Sequence, residues 1–369
     1  MRMQDLVDLA TSEPPPLRYD ADQILESGQR TQRRRRLSWV ASGAAAVAVL
    51  GVVAAVTVPK LGATGNAPQP AAPVAEAGPV PATADPFTFT FDGYRVGKLR
   101  VAQPVDVSTA YQLASVYADG LTTNDKAVDG SPPPRNGDDL YAYLTVYRAG
   151  AYDPSKLTGA QPVTVGGRTG LEVSGAHYSW AVKRTLAWQY NTDAWAVIEA
   201  SSDDAAFPSA KDLRDLAAGL RAGVPAAAKV PVTLAHLPAG YKLTEVSMHA
   251  MPGLNGIASA RDGDYAGLVF SSPALPVTGL TEPFGGVDGD HPAGSFLMFV
   301  VPAANSNQQP SPGISCGNGF CNRWVNGVNI QVSSEGLLTD AEMTRILEGV
   351  TLANVKDTST WTVATAATP

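Results

Sequence analysis

The chain has 369 residues, of which 44% are hydrophobic and 17% are charged, a composition that can build two or three domains with apolar cores. Its formal net charge is −7. Residues 61–369 hold 19 of the basic side chains but 28 of the acidic ones. A net acidic segment repels phosphate, so nucleic acid is excluded as a partner of this part of the chain.

The first 36 residues are predicted to form a cytoplasmic tail. Met3, Leu6, Val7 and Ala10 recur at the spacing of one face of a short helix. A helix of about 12 residues is marginal alone in water, so it needs a partner or a surface. Two interpretations stay open: a solvated leader that only sets topology, and a segment, residues 1–36, that docks on a cytoplasmic protein.

A single transmembrane helix is predicted over residues 37–58. This run of 22 residues carries no charge, and at about 1.5 Å per residue it spans roughly 30 Å of hydrocarbon. Arg33, Arg34, Arg35 and Arg36 precede it directly. Positive charge is retained on the cytoplasmic side, so the N-terminus is predicted inside, with these arginines at the lipid headgroups of the bilayer. The alternative is a cleavable signal peptide, which the length of the run and of the preceding segment disfavours.

The rest of the chain divides by composition. Residues 59–85 are rich in Pro and Ala and have no aromatic residue, which predicts an extended linker. Two similar extracytoplasmic domains are predicted next, residues 86–224 and residues 225–355. Residues 356–369 are predicted to be a disordered tail.

The internal duplication is predicted from the matching ends of the two domains. They open on a Gly-aromatic-basic step at Gly93 and at Gly240. Each closes with a Trp-bearing hairpin, a Ser pair and an amphipathic helix that stops near Gly219 or Gly349. The predicted fold class is therefore α+β: one transmembrane helix followed by two similar domains, each an antiparallel β-sheet with a helix packed on one face. Convergent hairpin-and-helix endings are the alternative.

The two cysteines flank a turn signal. Asn318-Gly319 is typical of a two-residue hairpin loop, and it places Cys316 and Cys321 opposite each other in a pair whose Cα atoms approach closely. An extracytoplasmic location favours a disulfide between them. Free thiols and a metal-binding pair are the alternatives, although the sequence offers no second pair of ligands. A further Asn-Gly turn follows at 326–327.

No other motif predicts chemistry. His177, His236, His249 and His291 are scattered without ligand spacing, and the Gly-rich stretch 285–294 lacks the later ligand positions of a calcium loop. The sequence has no nucleophile elbow, phosphate-binding loop or dinucleotide fingerprint. We therefore predict no catalytic residue, no cofactor and no metal site.

The overall layout nevertheless resembles a known group. An Arg-ended tail, an Ala/Val-rich span, a Pro/Ala spacer and the LPAGYKL opening at 237–243 resemble uncharacterised single-pass membrane proteins of high-GC Gram-positive bacteria with a duplicated extracytoplasmic domain. The layout is partly like that of membrane-anchored anti-sigma regulators, whose tail holds a sigma factor. This chain departs from their zinc-binding pattern, because residues 1–58 contain neither His nor Cys.

Three functional hypotheses follow. The first is a non-catalytic, membrane-anchored binding, sensing or scaffolding protein of the cell envelope, with a cell-wall or envelope ligand. The second is an anti-sigma-like regulator whose tail binds a cytoplasmic partner. The third, with the least support in the sequence, is a cell-wall hydrolase.

Overall fold

The computed structural model describes residues 78–118, 139–178, 181–202, 209–248, 265–284, 292–303, 306 and 308–369. The predicted tail with its four arginines, Arg33 to Arg36, and the predicted span 37–58 lie outside these residues. Among the described residues, no helix has both the length and the apolar composition that a membrane crossing needs.

The first of the two predicted halves, residues 86–224, is built almost wholly from strands. They are β1 (Thr88–Phe91), β2 (Tyr94–Val96), β3 (Leu99–Val101), β4 (Asp106–Ser108), β5 (Tyr111–Ala118), β6 (Asp139–Tyr147), β7 (Gln161–Val165), β8 (Arg168–Tyr178), β9 (Ala181–Asn191), β10 (Ala194–Ser202) and β11 (Ala222–Ala227), which crosses into the second half.

The second half (residues 225–355) and the segment after it continue in the same way. Their strands are β12 (Lys229–Val230), β13 (Val232–Leu234), β14 (Lys242–Ser247), β15 (Ala266–Ser271), β16 (Ser295–Pro302), β17 (Ile314–Gly317), β18 (Phe320–Val325), β19 (Val328–Ser333), β20 (Val350–Leu352) and β21 (Thr362–Val363). Short 3-10 helices lie at Pro154–Lys156, Thr358–Thr360 and Ala364–Ala366.

The described residues form two α-helices, and local sequence explains where both begin and end. Helix α1 (Ala210–Ala218) starts at a capping box in which Ser209 and Asp212 bond each other's backbone N–H, and α2 (Asp340–Glu348) starts in the same way at Thr339. Both helices end at a glycine, as the sequence predicts. Their buried residues are Leu213, Leu216 and Ala217 in α1, and Met343, Ile346 and Leu347 in α2.

The predicted fold class is wrong. Instead of two α+β domains, each with its own sheet and helix, the described residues are mainly β, and strands of both halves form one antiparallel sheet of 15 strands. Its order is β17-β18-β19-β16-β15-β14-β4-β5-β6-β10-β9-β8-β7, with β3 beside β5 and β2 beside β3. The halves join where β4 pairs with β14. This pairing removes two sheet edges, whose unpaired backbone groups would otherwise face solvent.

The two largest apolar cores lie against this sheet, one in each half. The first contains Leu144, Leu186, Ile198 and the buried face of α1. The second contains Phe270, Phe296, Met298 and the buried face of α2. Strand β1 contributes to both cores, since Phe91 lies in the first and Phe89 in the second. The division into domains at residue 224 stays a prediction.

The C-terminal segment 356–369 is ordered, whereas the sequence predicts a disordered tail. Strand β21 pairs with β12, and the Trp361 indole N–H donates to the Asn354 carbonyl at 3.1 Å. Ala364 and Ala367 are buried in the second core. Small side chains fit this core without an amphipathic pattern, which is why the sequence shows no sign of the packing.

Candidate functional site

The cysteine hairpin forms as the sequence predicts. Asn318 and Gly319 both have positive φ, 54° and 82°, as a two-residue turn of this kind requires. Cys316 and Cys321 pair across β17 and β18 and are joined by a disulfide with a Cα–Cα distance of 4.1 Å. The predicted disulfide is therefore present.

The disulfide lies on the first turn of α2. The sulfurs of Cys316 and Cys321 are 3.9 and 3.8 Å from the Asp340 carbonyl oxygen, and the sulfur of Cys316 is 3.5 Å from the Thr344 hydroxyl. The Asp340 carboxylate also lies within 4.8 Å of both sulfurs. Because the sulfurs are bonded to each other, neither is a thiolate, and this group of three does not have the ligand chemistry of a metal site.

An open cleft of about 510 Å³ lies beside the disulfide, between the hairpin and α2. We call it the edge cleft; it is lined by Gly313, Ile314, Arg323, Thr344 and Glu348. Thr344 and Glu348 are one turn apart on the helix and form one wall. The cleft thus combines apolar contact with one cationic and one anionic side chain.

Arg323 fixes the width of the edge cleft. Its guanidinium Nη1 donates to the carbonyl oxygens of Leu347 at 2.7 Å and Val350 at 3.0 Å. The Leu347 carbonyl belongs to the C-terminal end of α2, where the last carbonyls lack partners within the helix and favour a cation. The Val350 carbonyl lies at the start of β20, directly after the helix. The strand and the helix are therefore held at a set distance by a side chain that lines the cleft.

Strand β17 is one edge of the large sheet. In a hairpin closed by a two-residue turn, Gly317 and Ser315 direct their backbone groups toward β18. The N–H and C=O groups of Ile314 and Cys316 then point to the open side of the strand. The edge cleft is thus bordered by backbone groups oriented to pair with another extended chain.

A second polar cluster lies where the two halves of the sheet meet. Asp106 on β4 is opposite Ser247 on β14, and both are buried. The Oδ1 atom of Asp106 and the Oγ atom of Ser247 have no hydrogen-bond partner. Burial raises the pKa of Asp106 to about 7, and the nearby Ser247 hydroxyl lowers it by a smaller amount, although no bond of normal geometry joins the two.

Tyr111 connects this cluster to a segment of the second half. Its hydroxyl donates to Glu245 Oε2 on β14 and accepts the backbone N–H of Phe284 at 2.9 Å. Burial raises the pKa of Tyr111 well above its usual range, and the charge of Glu245 raises it further. The ring of Tyr111 also packs edge-on against Tyr147, with centroids 5.8 Å apart.

The segment that carries Phe284 crosses back over the first half. Leu280 forms an isolated parallel bridge with Tyr152. Its N–H donates to the carbonyl of Ala151 at 2.9 Å, and its carbonyl accepts the N–H of Asp153 at 2.8 Å. This segment, residues 272–284, covers the face of the first half opposite α1, because Tyr111 and Tyr147 alternate with the core residues of their strands.

The sequence does not predict this second cluster. Asp106 lies in the alternating stretch 105–108, where a polar residue indicates a solvent-facing position. Both faces of β4 are buried in the assembled sheet, and the local sequence pattern does not indicate this burial. Of the four histidines, His236 is half-buried, whereas the side chains of His177, His249 and His291 are outside the described set.

No protein-family model and no curated protein matches this sequence. Among solved structures, one similar chain is that in "Crystal structure of MucB in complex with MucA(peri)". The two chains are 12% identical, the match covers 73% of this chain and 93% of that one, and the TM-score is 0.19. A TM-score of this size does not establish a shared fold, and no functional conclusion follows from it.

Proposed function

We propose that this chain is a non-catalytic binding and sensing protein of the cell envelope. Residues 37–58 anchor it in the membrane, and the described residues lie outside the cell. The disulfide between Cys316 and Cys321 supports this location, because such bonds persist in oxidising compartments. Cys316 is exposed, so a reducing cytosol would have access to the bond.

The observation that carries the binding role is the edge cleft beside the open side of β17. An extended segment of a partner protein adds to an exposed strand through main-chain hydrogen bonds, and a neighbouring pocket receives one of its side chains. Here Ile314 and Cys316 supply the main-chain groups, and the cleft of about 510 Å³ supplies the pocket. This arrangement favours a protein partner over a small molecule.

The location is tested with alkaline phosphatase fused to the C-terminus of the full chain. The enzyme folds only where disulfides form, so we expect activity in intact cells. A fusion with Arg33, Arg34, Arg35 and Arg36 all changed to Glu is the control, and we expect its activity to fall. An inactive first fusion that is nevertheless made in full would contradict the proposed location.

The binding site is tested by crosslinking in living cells. A photo-crosslinking amino acid replaces Glu348 in the edge cleft, and in a second protein it replaces Lys211 on the exposed face of α1. We expect a discrete crosslinked product from position 348 and none of that size from position 211. The same products from both positions, or none from either, would refute the proposed site.

Strand addition is tested within that experiment by two substitutions at one residue. Ile314→Pro removes an N–H that points to the open edge but is not needed for pairing with β18. Ile314→Ala loses side-chain contact and keeps the N–H. We expect Ile314→Pro to abolish the crosslink and Ile314→Ala to retain most of it, with the disulfide intact in both proteins.

A further inference from the structure

The strand pairing between the two halves of the sheet is short. Strand β4 has three residues, and only Ser108, Val107 and Asp106 pair with Glu245, Val246 and Ser247 of β14. Among the described strands, no other pairing within the large sheet links the halves. We call these six residues the joint. Within the sheet, three residue pairs therefore join two portions that each have a longer internal ladder, such as that of β5 with β6. Outside this ladder, the hydroxyl of Tyr111 and the backbone bonds of Leu280 also link the halves.

The joint is rich in buried polar groups. Asp106 and Glu245 are each 2% exposed, and Ser108 and Ser247 are fully buried. A buried carboxylate is costly when ionised unless it is paired or fully hydrogen-bonded. Glu245 accepts the hydroxyl of Tyr111, whereas one oxygen of Asp106 has no hydrogen-bond partner. The two carboxyl groups thus differ in how well the protein tolerates their charge.

The charged and titratable groups around Asp106 come from three elements of the described structure. Strand β14 contributes Glu245, and β5 contributes Tyr111. The residue after β6, Arg148, donates to the carbonyl of Ser108 at 3.5 Å, but its guanidinium also bonds the carbonyls of Ala84 and Asp85. All these acceptors of Arg148 are backbone carbonyls, and no ion pair between Arg148 and Asp106 is found among the described residues.

We propose that the joint is a proton-dependent coupling between the two halves. The strand pairing stays closed when the carboxyl group of Asp106 is protonated and opens more often when that group is ionised. An opened joint exposes Asp106 to water, where its charge is solvated at no cost. Ionisation therefore favours opening. The proposal is independent of the partner-binding role, since it concerns only residues outside the edge cleft.

The direction of the effect follows from linkage. The pKa of Asp106 is about 7 in the closed joint, and an exposed Asp has an ordinary pKa of about 3.9. Between these values the closed state binds a proton that the open state releases, so opening becomes more favourable as the pH rises. Above about pH 7 both states are ionised and the dependence levels off. From pH 5 to pH 8 we expect the equilibrium constant for opening to increase by roughly a hundredfold, because two pH units of this interval lie below the closed-state pKa.

The test is hydrogen exchange of the full chain followed by mass spectrometry at pH 5 and pH 8. After correction for the intrinsic exchange rate at each pH, peptides that cover 106–108 and 245–247 should exchange roughly a hundredfold faster at pH 8. Peptides from β9 and β10, within the first half, should show no comparable change.

Three variants test whether the pH dependence of exchange comes from Asp106. Asp106→Asn should exchange at the same corrected rate at both pH values, because its amide does not ionise. Glu245→Gln and the exposed control Asp215→Asn should keep the pH dependence. If the wild-type joint exchanges equally at both pH values, or if Asp106→Asn keeps the dependence, the proposal is wrong.

Discussion

Asp106 and Ser247 face each other across the strand pair that joins the two halves of the sheet, and neither Oδ1 of Asp106 nor Oγ of Ser247 has a hydrogen-bond partner. The strand pairing that joins the two halves of the sheet is therefore also a position where buried polar atoms are incompletely satisfied. Each such atom opposes folding, because it has lost its bonds to water without replacing them.

We expect Asp106→Asn to raise the free energy of unfolding at pH 7.5 by about 1–3 kcal/mol. The folded-state pKa of about 7 is above the unfolded value, so the wild type loses stability as the pH rises from about 4 to 7, and the variant does not. Urea denaturation at pH 5 and pH 7.5 measures both. The same difference in free energy of unfolding between variant and wild type at both pH values would contradict the titration of Asp106 in this range.

Tyr111→Phe should destabilise the protein by about 2–3 kcal/mol, because it removes the charge-assisted bond from the Tyr111 hydroxyl to Glu245 and the acceptor of the Phe284 N–H. Tyr190→Phe is the matched control. It removes one neutral bond, from the Tyr190 hydroxyl to the carbonyl of Tyr147 at 2.8 Å, and should cost about 1 kcal/mol. Chemical denaturation compares the two variants. A smaller loss of stability in Tyr111→Phe than in the control would count against the bonds from Tyr111 to Glu245 and Phe284.

Reduction of the disulfide should lower the free energy of unfolding by about 2 kcal/mol, since it closes a short loop between Cys316 and Cys321. Denaturation with and without a dithiol reductant measures this difference. A double variant with Ala at both positions should not respond to the reductant. A loss well above this size would show that the bond supports more than its own hairpin.

Ser209→Ala and Thr339→Ala each remove the side chain that caps a helix. Each should cost about 1 kcal/mol of stability, because a backbone N–H in the first turn loses its acceptor. Ser209→Thr and Thr339→Ser exchange the two caps and should recover most of the loss. Thermal unfolding of the four variants provides the comparison, and uneven recovery would show that one helix depends on tertiary contacts instead.

Leu216→Ala and Ile346→Ala test the predicted division at residue 224. Both side chains are fully buried, one in each core, so each change should cost about 2–5 kcal/mol. If the halves are separate domains, each variant should speed hydrogen exchange mainly in its own half. Val224→Ala, at a side chain that is 83% exposed, is the control. Faster exchange throughout both halves from either variant would show a single cooperative unit.

The sequence by itself determined the local elements of this fold. The turn at Asn318-Gly319, the disulfide across it and the capped helix that ends at Gly349 each depend on residues a few positions apart. Backbone preferences and short-range hydrogen bonds decide such features before any tertiary contact forms. For this reason the hairpin predicted from sequence appears in the structure with the expected register.

The tertiary structure alone decided how these elements assemble. The pairing of Asp106 with Ser247, the sharing of β1 between two cores and the burial of Ala364 and Ala367 join residues that are distant in sequence. No local pattern encodes the register between such strands, because alternation shows which face is buried and not which strand lies alongside. The α+β prediction failed at this step, because β4 and β14, which it assigned to two separate sheets, pair with each other. The resulting sheet buries Asp106, although a polar residue in an alternating strand indicates a solvent-facing position.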